Sequence, residues 1–344
     1  MKSGTLFRMG LGAVRAHVLG QRIPLNVVLS VTNRCNSNCS YCNIPNRKQR
    51  ELTTKEIFDL IDQATKVGTQ RLGLWGGEPL LRDDIGQIID YAKNKGLFVT
   101  LDSNGFLIKE KLQFLKNLDH LILSLDGPEE VHDQNRNKGS FKKAMDAIQL
   151  LKGKIPIWTI TVLTKYNLES IDFVLETAKK HGFLTTFQVL HHNVILGKNL
   201  ESFFPPNDSY RKIIKDIILK KKQGAPIASS FSYLNHLLKW PDYRKPMLSY
   251  PVNNLKCWAG WLYCNVDTDG SVYPCSLLVE KMKSLNYLDV GFKKAFKGIP
   301  EIDCQVCDAS CFTEYNYLFS LNPGTIAAWL KAMHITRKNL DAKK

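Results

Sequence analysis

The chain has no cysteine between Cys42 and Cys257, so 214 residues separate three thiols near the N-terminus from six in the last quarter. A disulfide scaffold would spread its thiols more evenly. This distribution points to metal sites in a reducing cytoplasm. Acidic residues are missing from the first 50 positions, which carry Lys2, Arg8, Arg15, Arg22, Arg34, Arg47, Lys48 and Arg50 within a chain of net charge +15. Such asymmetry suits an anionic partner, nucleic acid or an acidic membrane surface, or else a solvated basic face. No apolar run reaches 18 residues, which predicts no transmembrane helix. Met1 to Gly20 lacks a clean apolar stretch and a small-residue cleavage site, which predicts no secretory signal. Neither a Ser-His-Asp set nor a pair of catalytic carboxylates is visible, and no RNA-binding module is recognisable. The length of 344 residues allows a large core and roughly two domains.

What is present centres on Cys35, Cys39 and Cys42, spaced C-x3-C-x2-C just after the apolar run Leu25 to Leu29. Three thiolates on one tight loop suit an iron–sulfur cluster. Four ligands would close such a cluster, whereas three leave one iron open. A zinc site would want a fourth Cys or His nearby, and the next histidine is His120.

Beyond this loop, strands are expected near 71–75, 97–102, 120–125, 156–163 and 184–190. Helices are expected between them near 83–95, 109–117, 140–152 and 167–181. Thr53 to Glu56 reads as a capping box ahead of a helix carrying Ile57, Leu60, Ile61, Ala64 and Val67, with Gly68 as its stop. Six strand–helix repeats imply parallel pairing with helices outside, too few for a closed eight-fold barrel. Ligands of such folds gather at the carboxyl ends of the strands. Gly76-Gly77-Glu78-Pro79 follows the second strand, its glycines letting backbone approach a ligand. Asp102-Ser103-Asn104-Gly105 ends the third strand, and Ser124-Leu125-Asp126-Gly127-Pro128 ends the fourth. Asn167 follows the fifth.

The cysteine loop with Tyr41, the Gly-Gly-Glu-Pro turn, and the stretch from Ser124 through His132-Asp133 and Arg136 to Phe141 resemble the radical S-adenosylmethionine (SAM) superfamily. That resemblance implies a partial (β/α)6 barrel and a [4Fe-4S] cluster on Cys35, Cys39 and Cys42. SAM is then expected against Tyr41, Gly76, Gly77, Glu78, Ser103, Asn104, Ser124, Arg136 and Asn167, with Asp126 facing the same cavity as a candidate to orient substrate. It also implies reductive cleavage of SAM to a 5′-deoxyadenosyl radical, hydrogen abstraction from an unactivated carbon, and an electron donor such as flavodoxin or ferredoxin.

The second cysteine group resembles the SPASM/twitch extension of that superfamily. Asp-Gly at 269–270 marks a hairpin between Tyr263 and Cys275, followed by Cys304-Gln305-Val306-Cys307. The resemblance implies an auxiliary [4Fe-4S] cluster on Cys257, Cys275, Cys304 and Cys307, with Cys311 as a substitute ligand and Cys264 packing as a strand residue. Residue by residue, the reading divides the chain into a basic extension (1–23), the barrel (24–193), a connector that lines the cavity or merely links (194–256), the auxiliary-cluster domain (257–320) and a basic C-terminal helix (321–344).

Three further stretches are less specific. His191-His192-Asn193 suggests a metal or substrate contact, but adjacent strand residues point to opposite faces, so only one histidine could face the cavity. Leu6, Met9, Val14 and Val18 interleave with Arg8 and Arg15, and Trp329, Leu330, Met333 and Ile335 with Lys331, Arg337 and Lys338. Two basic amphipathic ends suit a cytoplasmic enzyme resting on the inner membrane surface, and Met9 to Pro24 is similar to the leader of radical SAM enzymes acting on hopanoid lipids. The substrate classes left open are a lipid or isoprenoid, a peptide, or a small metabolite. A nucleic-acid-modifying radical SAM enzyme and a non-catalytic iron–sulfur or zinc protein are the alternatives.

Overall fold

The computed structural model describes residues 3–191 and 200–341. His192 and Asn193, like the chain's extreme ends, lie outside them. Six parallel strands run side by side in sequence order: β1 (Asn26–Thr32), β2 (Arg71–Gly76), β3 (Phe98–Ser103), β4 (His120–Ser124), β5 (Ile157–Leu163) and β6 (Leu184–Val189). Two kinds of residue alternate along each strand. Leu72, Val99, Leu101, Leu121 and Leu123 bury one face beneath the helices, while Arg71, Trp75, Thr100, Ile122 and Ile160 turn to the other, around an internal cavity.

After the N-terminal helix α1 (Ser3–Leu19), helices α2 (Thr54–Lys66), α3 (Ile85–Asn94), α4 (Ile108–Lys111), α5 (Glu129–Asn135), α6 (Ser140–Leu151) and α7 (Ile171–His181) return the chain between strands. α2 starts at the expected capping box: Glu56 N–H donates to Thr53 Oγ1 and Thr53 N–H to Glu56 Oε2. Ile57, Leu60 and Ile61 are fully buried against the sheet, each contributing about 2 kcal/mol through lost apolar surface. The helix expected at 109–117 is shorter, because α4 tightens into a 3-10 turn over Leu112–Leu115.

The stretch 194–256, open between cavity wall and linker, is a packed layer in its described part. α8 (Asn207–Lys222) and α9 (Phe231–Leu238) bury Tyr210, Ile214, Ile217, Tyr233, Leu234 and Leu237 against β6, together with Trp240 and Tyr243. β7 (Met247–Leu248) follows.

The hairpin β8 (Tyr263–Val266) and β9 (Ser271–Tyr273) is joined to the barrel: β8 pairs in parallel with β1, and β10 (Leu285–Asn286) closes that side of a nine-stranded sheet. Pairing there covers the edge that β1 would otherwise expose. Two short helices, α10 (Tyr287–Val290) and α11 (Phe292–Lys297), cover this extension. β11 (Val306–Cys307) then pairs with β7, and α12 (Ser310–Phe319) and α13 (Pro323–Asp341) end the described chain.

Both terminal helices revise the amphipathic reading. On α1, Met9, Ala13 and Ala16 face the core beside Leu25 and Trp258; Gly12 fits there because a Cβ would meet Leu25 at 2.5 Å. The outward stripe is Phe7, Leu11, Val14 and Val18, with Phe7 72% exposed. On α13, Trp329, Leu330 and Met333 border the barrel cavity and Ile335 packs beside Trp158 and Leu184, with Leu330 left 47% exposed. Much of the basic N-terminal segment is likewise occupied. Arg22 donates to the carbonyls of Phe296, Lys297 and Ile299 and so caps α11, Arg34 pairs with Glu51, Arg50 with Glu56, and Arg47 with Asp267.

Candidate functional site

The cysteine loop leaves β1 and is held at the carboxyl ends of the strands by its neighbours. Ser40 N–H donates to Asn135 O at 3.4 Å, and Ser37 Oγ donates to Asn137 Oδ1. Asn104 Nδ2 donates to Asn36 Oδ1 at 2.8 Å and points at Cys35 Sγ at 3.8 Å. Ser37 N–H also points at Cys35 Sγ, at 3.4 Å. Burial pushes the Cys35 thiol up to about 11 and Cys42 to about 12. Thiolates there need a cation to balance them, and N–H and amide groups aimed at sulfur suit a metal-bound thiolate. The donor set therefore fits an iron–sulfur cluster.

Gly76 and Gly77 serve this loop in a way the sequence did not suggest. Their closest approach is to the cysteine segment's own backbone: a Cβ on Gly76 would stand 2.3 Å from Thr32 O, and one on Gly77 2.1 Å from Arg34 O. Gly77 N–H donates to Thr32 O and Glu78 N–H to Arg34 O, both at 2.8 Å. Glu78 is fully buried and fastens the next strand end, accepting from Leu80 N–H, Ser103 Oγ and Asn104 N–H. Burial raises its carboxyl to about 7 against those donors.

Asp126 does not face the barrel cavity. It is fully buried in a polar lock, accepting from Arg136 Nε at 2.8 Å, Val162 N–H at 3.1 Å and Tyr41 OH at 3.5 Å, while its own N–H donates to His132 Nδ1. The reason is electrostatic: Arg136 is itself buried, and a buried cation requires a paired anion. Arg136 lies 6.0 Å from the centre of the Tyr41 ring, beside Cys42. Asn167 holds the same turn, donating to Asp126 O and Val162 O. Ser124 is half-buried at the end of β4.

The later thiols sort into two groups. Cys257, Cys275, Cys304 and Cys307 stand near enough that charge on one raises another, beyond the rise burial causes. Tyr263 OH lies among them, 3.8 Å from Cys257 Sγ, and donates to Asn316 Oδ1. Cys264 points the other way, into the core of the sheet. Cys311 is not with the four: it projects from α12 into the barrel cavity, among Arg71, Asp102 and Tyr315. Among the described residues no three His, Cys, Asp or Glu side chains come close enough to share a single metal ion.

Some residues that build the site carry no motif. Arg47, just past the cysteine loop, grips Asp267 with two N–H donors at 3.1 and 2.5 Å and also reaches Glu280. Asp267 looks like a turn residue in sequence, and its partner lies 220 positions away. His191 lines the cavity with its Nε2 3.4 Å from buried Asp308; burial lowers it to about 4, so it is neutral.

The chain is similar to known proteins in both sequence and fold. Residues 29–192 match the profile of the Radical SAM superfamily. The AdoMet-dependent heme synthase of Methanosarcina barkeri is 29% identical over 276 residues, covering 74% of this chain and 77% of that protein. The mycofactocin maturase MftC of Mycolicibacterium smegmatis is 27% identical over 288 residues, covering 81% and 71%. In fold the chain is similar to Streptococcus suis SuiB bound to S-adenosylmethionine, with a TM-score of 0.66, 15% identity, and 83% and 69% of the two chains covered.

Proposed function

Because the domain at residues 29–192 makes this chain a radical SAM enzyme that uses a [4Fe-4S] cluster and SAM, we propose that Cys35, Cys39 and Cys42 hold that cluster and leave its fourth iron to the cofactor. The observation that carries this is the clamping of a three-thiol loop from three sides, by Gly77 and Glu78, by Asn104, and by Asn135 and Asn137. Cluster and cofactor together supply one-electron cleavage of SAM and a 5′-deoxyadenosyl radical that abstracts hydrogen from an unactivated carbon.

The protein's part is orientation and exclusion of water. Tyr41, Gly76, Gly77, Ser103, Asn104, Ser124, Arg136 and Asn167 border the cofactor. Glu78 ties the turn after β2 to the end of β3, and Asp126 acts as a positioning residue that holds Arg136 beside Tyr41. Cys257, Cys275, Cys304 and Cys307 hold an auxiliary [4Fe-4S] cluster. Electrons arrive from a donor such as flavodoxin or ferredoxin.

The working place is the cytoplasm, with α1 resting on the anionic inner membrane surface. The exposed stripe of Phe7, Leu11, Val14 and Val18 beside Arg15 supports this. No helix among the described residues is long and apolar enough to cross a membrane.

Anaerobic reconstitution followed by SAM and a reductant tests the core reading. Methionine and 5′-deoxyadenosine should form, and deuterium from a labelled true substrate should enter the 5′-deoxyadenosine. Reconstituted protein with full iron that never cleaves SAM would refute it.

A further inference from the structure

Between the inner faces of β1–β6 and the helices α12 and α13 lies a cavity of about 750 Å³ that is partly open to solvent. None of the residues assigned to the cofactor lines it. Its walls are largely apolar, with Ile122, Trp158 and Ile160 from the sheet and Trp329, Leu330 and Met333 from α13. It runs the length of the barrel, from Phe98 and His120 at one end to Trp75 and Gln188 at the other.

One feature of the wall is out of keeping. Asp102, on β3, is exposed on the inner face of the sheet, where it lines this cavity. No hydrogen bond or ion pair satisfies it among the described residues. Arg71 is near enough to act on it through charge, but its N–H groups go to Asn26 Oδ1, Thr100 Oγ1 and Tyr315 OH. Beside both sits the Cys311 thiol, also open to the cavity. Water hydrates such a carboxylate, and a ligand's hydroxyl or amino group would take that water's place.

We infer that this cavity binds an amphipathic small molecule, its apolar body against the sheet and α13 and a hydroxyl or amino group hydrogen-bonded to Asp102 beside Cys311. A cavity of about 750 Å³ lies within the range of roughly 300–1,000 Å³ usual for small-molecule sites. A carboxylate head would meet Asp102 as a like charge, and a peptide would leave backbone groups unpaired against the apolar wall. The inference rests on the radical SAM reading for its consequence, that such a molecule is the substrate, and not for binding itself.

The test uses reconstituted full-length protein with dodecylamine, dodecanol, dodecanoate and dodecane as probes. Binding is followed by the fluorescence of the cavity tryptophans. Alkylation of Cys311 by iodoacetamide, mapped by peptide mass spectrometry, gives a second readout. Dodecylamine or dodecanol should bind at one per chain, at least tenfold tighter than dodecanoate and dodecane, and should protect Cys311. Asp102→Asn should erase the discrimination against dodecanoate while iron content and melting stay as in the unaltered protein. Equal affinity for all four probes, or Cys311 alkylated as fast with probe as without, would overturn the assignment, and the second measurement needs no variant. Protein that cleaves SAM yet binds no probe refutes the cavity inference alone. Protein that binds as described but never cleaves SAM refutes the proposed function alone.

Discussion

Replacing Gly77 by alanine is the most direct way to ask whether the Gly-Gly-Glu turn serves the cofactor or the cysteine loop. The added Cβ would begin 2.1 Å from Arg34 O and 2.6 Å from Arg34 C, where real contacts do not fall below 3.0 Å. The obstacle is backbone, so the two segments must separate by about 0.9 Å. Gly77 N–H to Thr32 O and Glu78 N–H to Arg34 O, each 2.8 Å now, would then pass 3.5 Å and cease to be hydrogen bonds. At about 1 kcal/mol each, their loss costs about 2 kcal/mol, roughly a thirtyfold shift in the equilibrium that keeps the loop in place. The thiols move with that loop, so cluster assembly should fail along with SAM binding. Iron and sulfide analysis and low-temperature electron paramagnetic resonance after anaerobic reconstitution provide the assay. Iron should fall from about eight to about four per chain, the remainder at the second thiol set. A Gly77→Ala protein with full iron and at most a threefold weaker affinity for SAM would refute the reasoning.

Other expectations follow from the same geometry. Replacing Cys35, Cys39 and Cys42 together by alanine should remove one of two clusters and abolish SAM cleavage; retained cleavage would show that another site carries the chemistry. Asp267→Ala leaves Arg47 buried without its main partner and should cost about 3–5 kcal/mol in denaturant unfolding; a loss below 1 kcal/mol would make the pair incidental. Glu78 binds its proton up to about pH 7 in the folded protein against 4.5 unfolded. Its contribution to stability is therefore greatest below 4.5 and declines as pH rises to 7, and Glu78→Gln should flatten that part of the stability profile; an unchanged slope would contradict the assignment. Sedimentation with vesicles should recover protein with anionic but not neutral lipid, less at high salt, and less when Phe7 and Val18 become serine. Equal recovery with and without vesicles would end the membrane proposal.

Local chemistry made much of this architecture legible in advance. The capping box at Thr53, the strands expected near 71–75, 97–102, 120–125, 156–163 and 184–190 and the Asp-Gly turn at 269–270 each rest on residues close in sequence, and each forms as read. The strongest site signal, three thiols within eight residues, is equally local. What stayed hidden depends on distant partners. Arg22 and Arg47 read as free basic charge until Phe296, Ile299 and Asp267 supply their acceptors. Asp126 reads as a candidate to orient substrate, and its pairing with buried Arg136 becomes visible only in the fold. α13 reads as a surface helix because its amphipathic pattern cannot say which apolar neighbour it will meet. Cys311, four residues beyond Cys307, reads as a spare ligand; α12 begins between them and carries it round to the barrel side.

The pairing of β8 with β1 also bears on how separable the halves of this enzyme are. In a gene the cysteine-rich tail looks like an appendage that could be trimmed or exchanged. In the molecule it is a continuation of the same hydrogen-bonded ladder, pinned a second time where Arg47 meets Asp267. Cutting the chain before Cys257 would strip one side of β1 and leave a row of bare amide and carbonyl groups beneath the three-thiol loop, an invitation to pair with the next chain. The tail therefore behaves less as a module than as the outer staves of the barrel, and the two sets of thiols are carried on one unhinged frame.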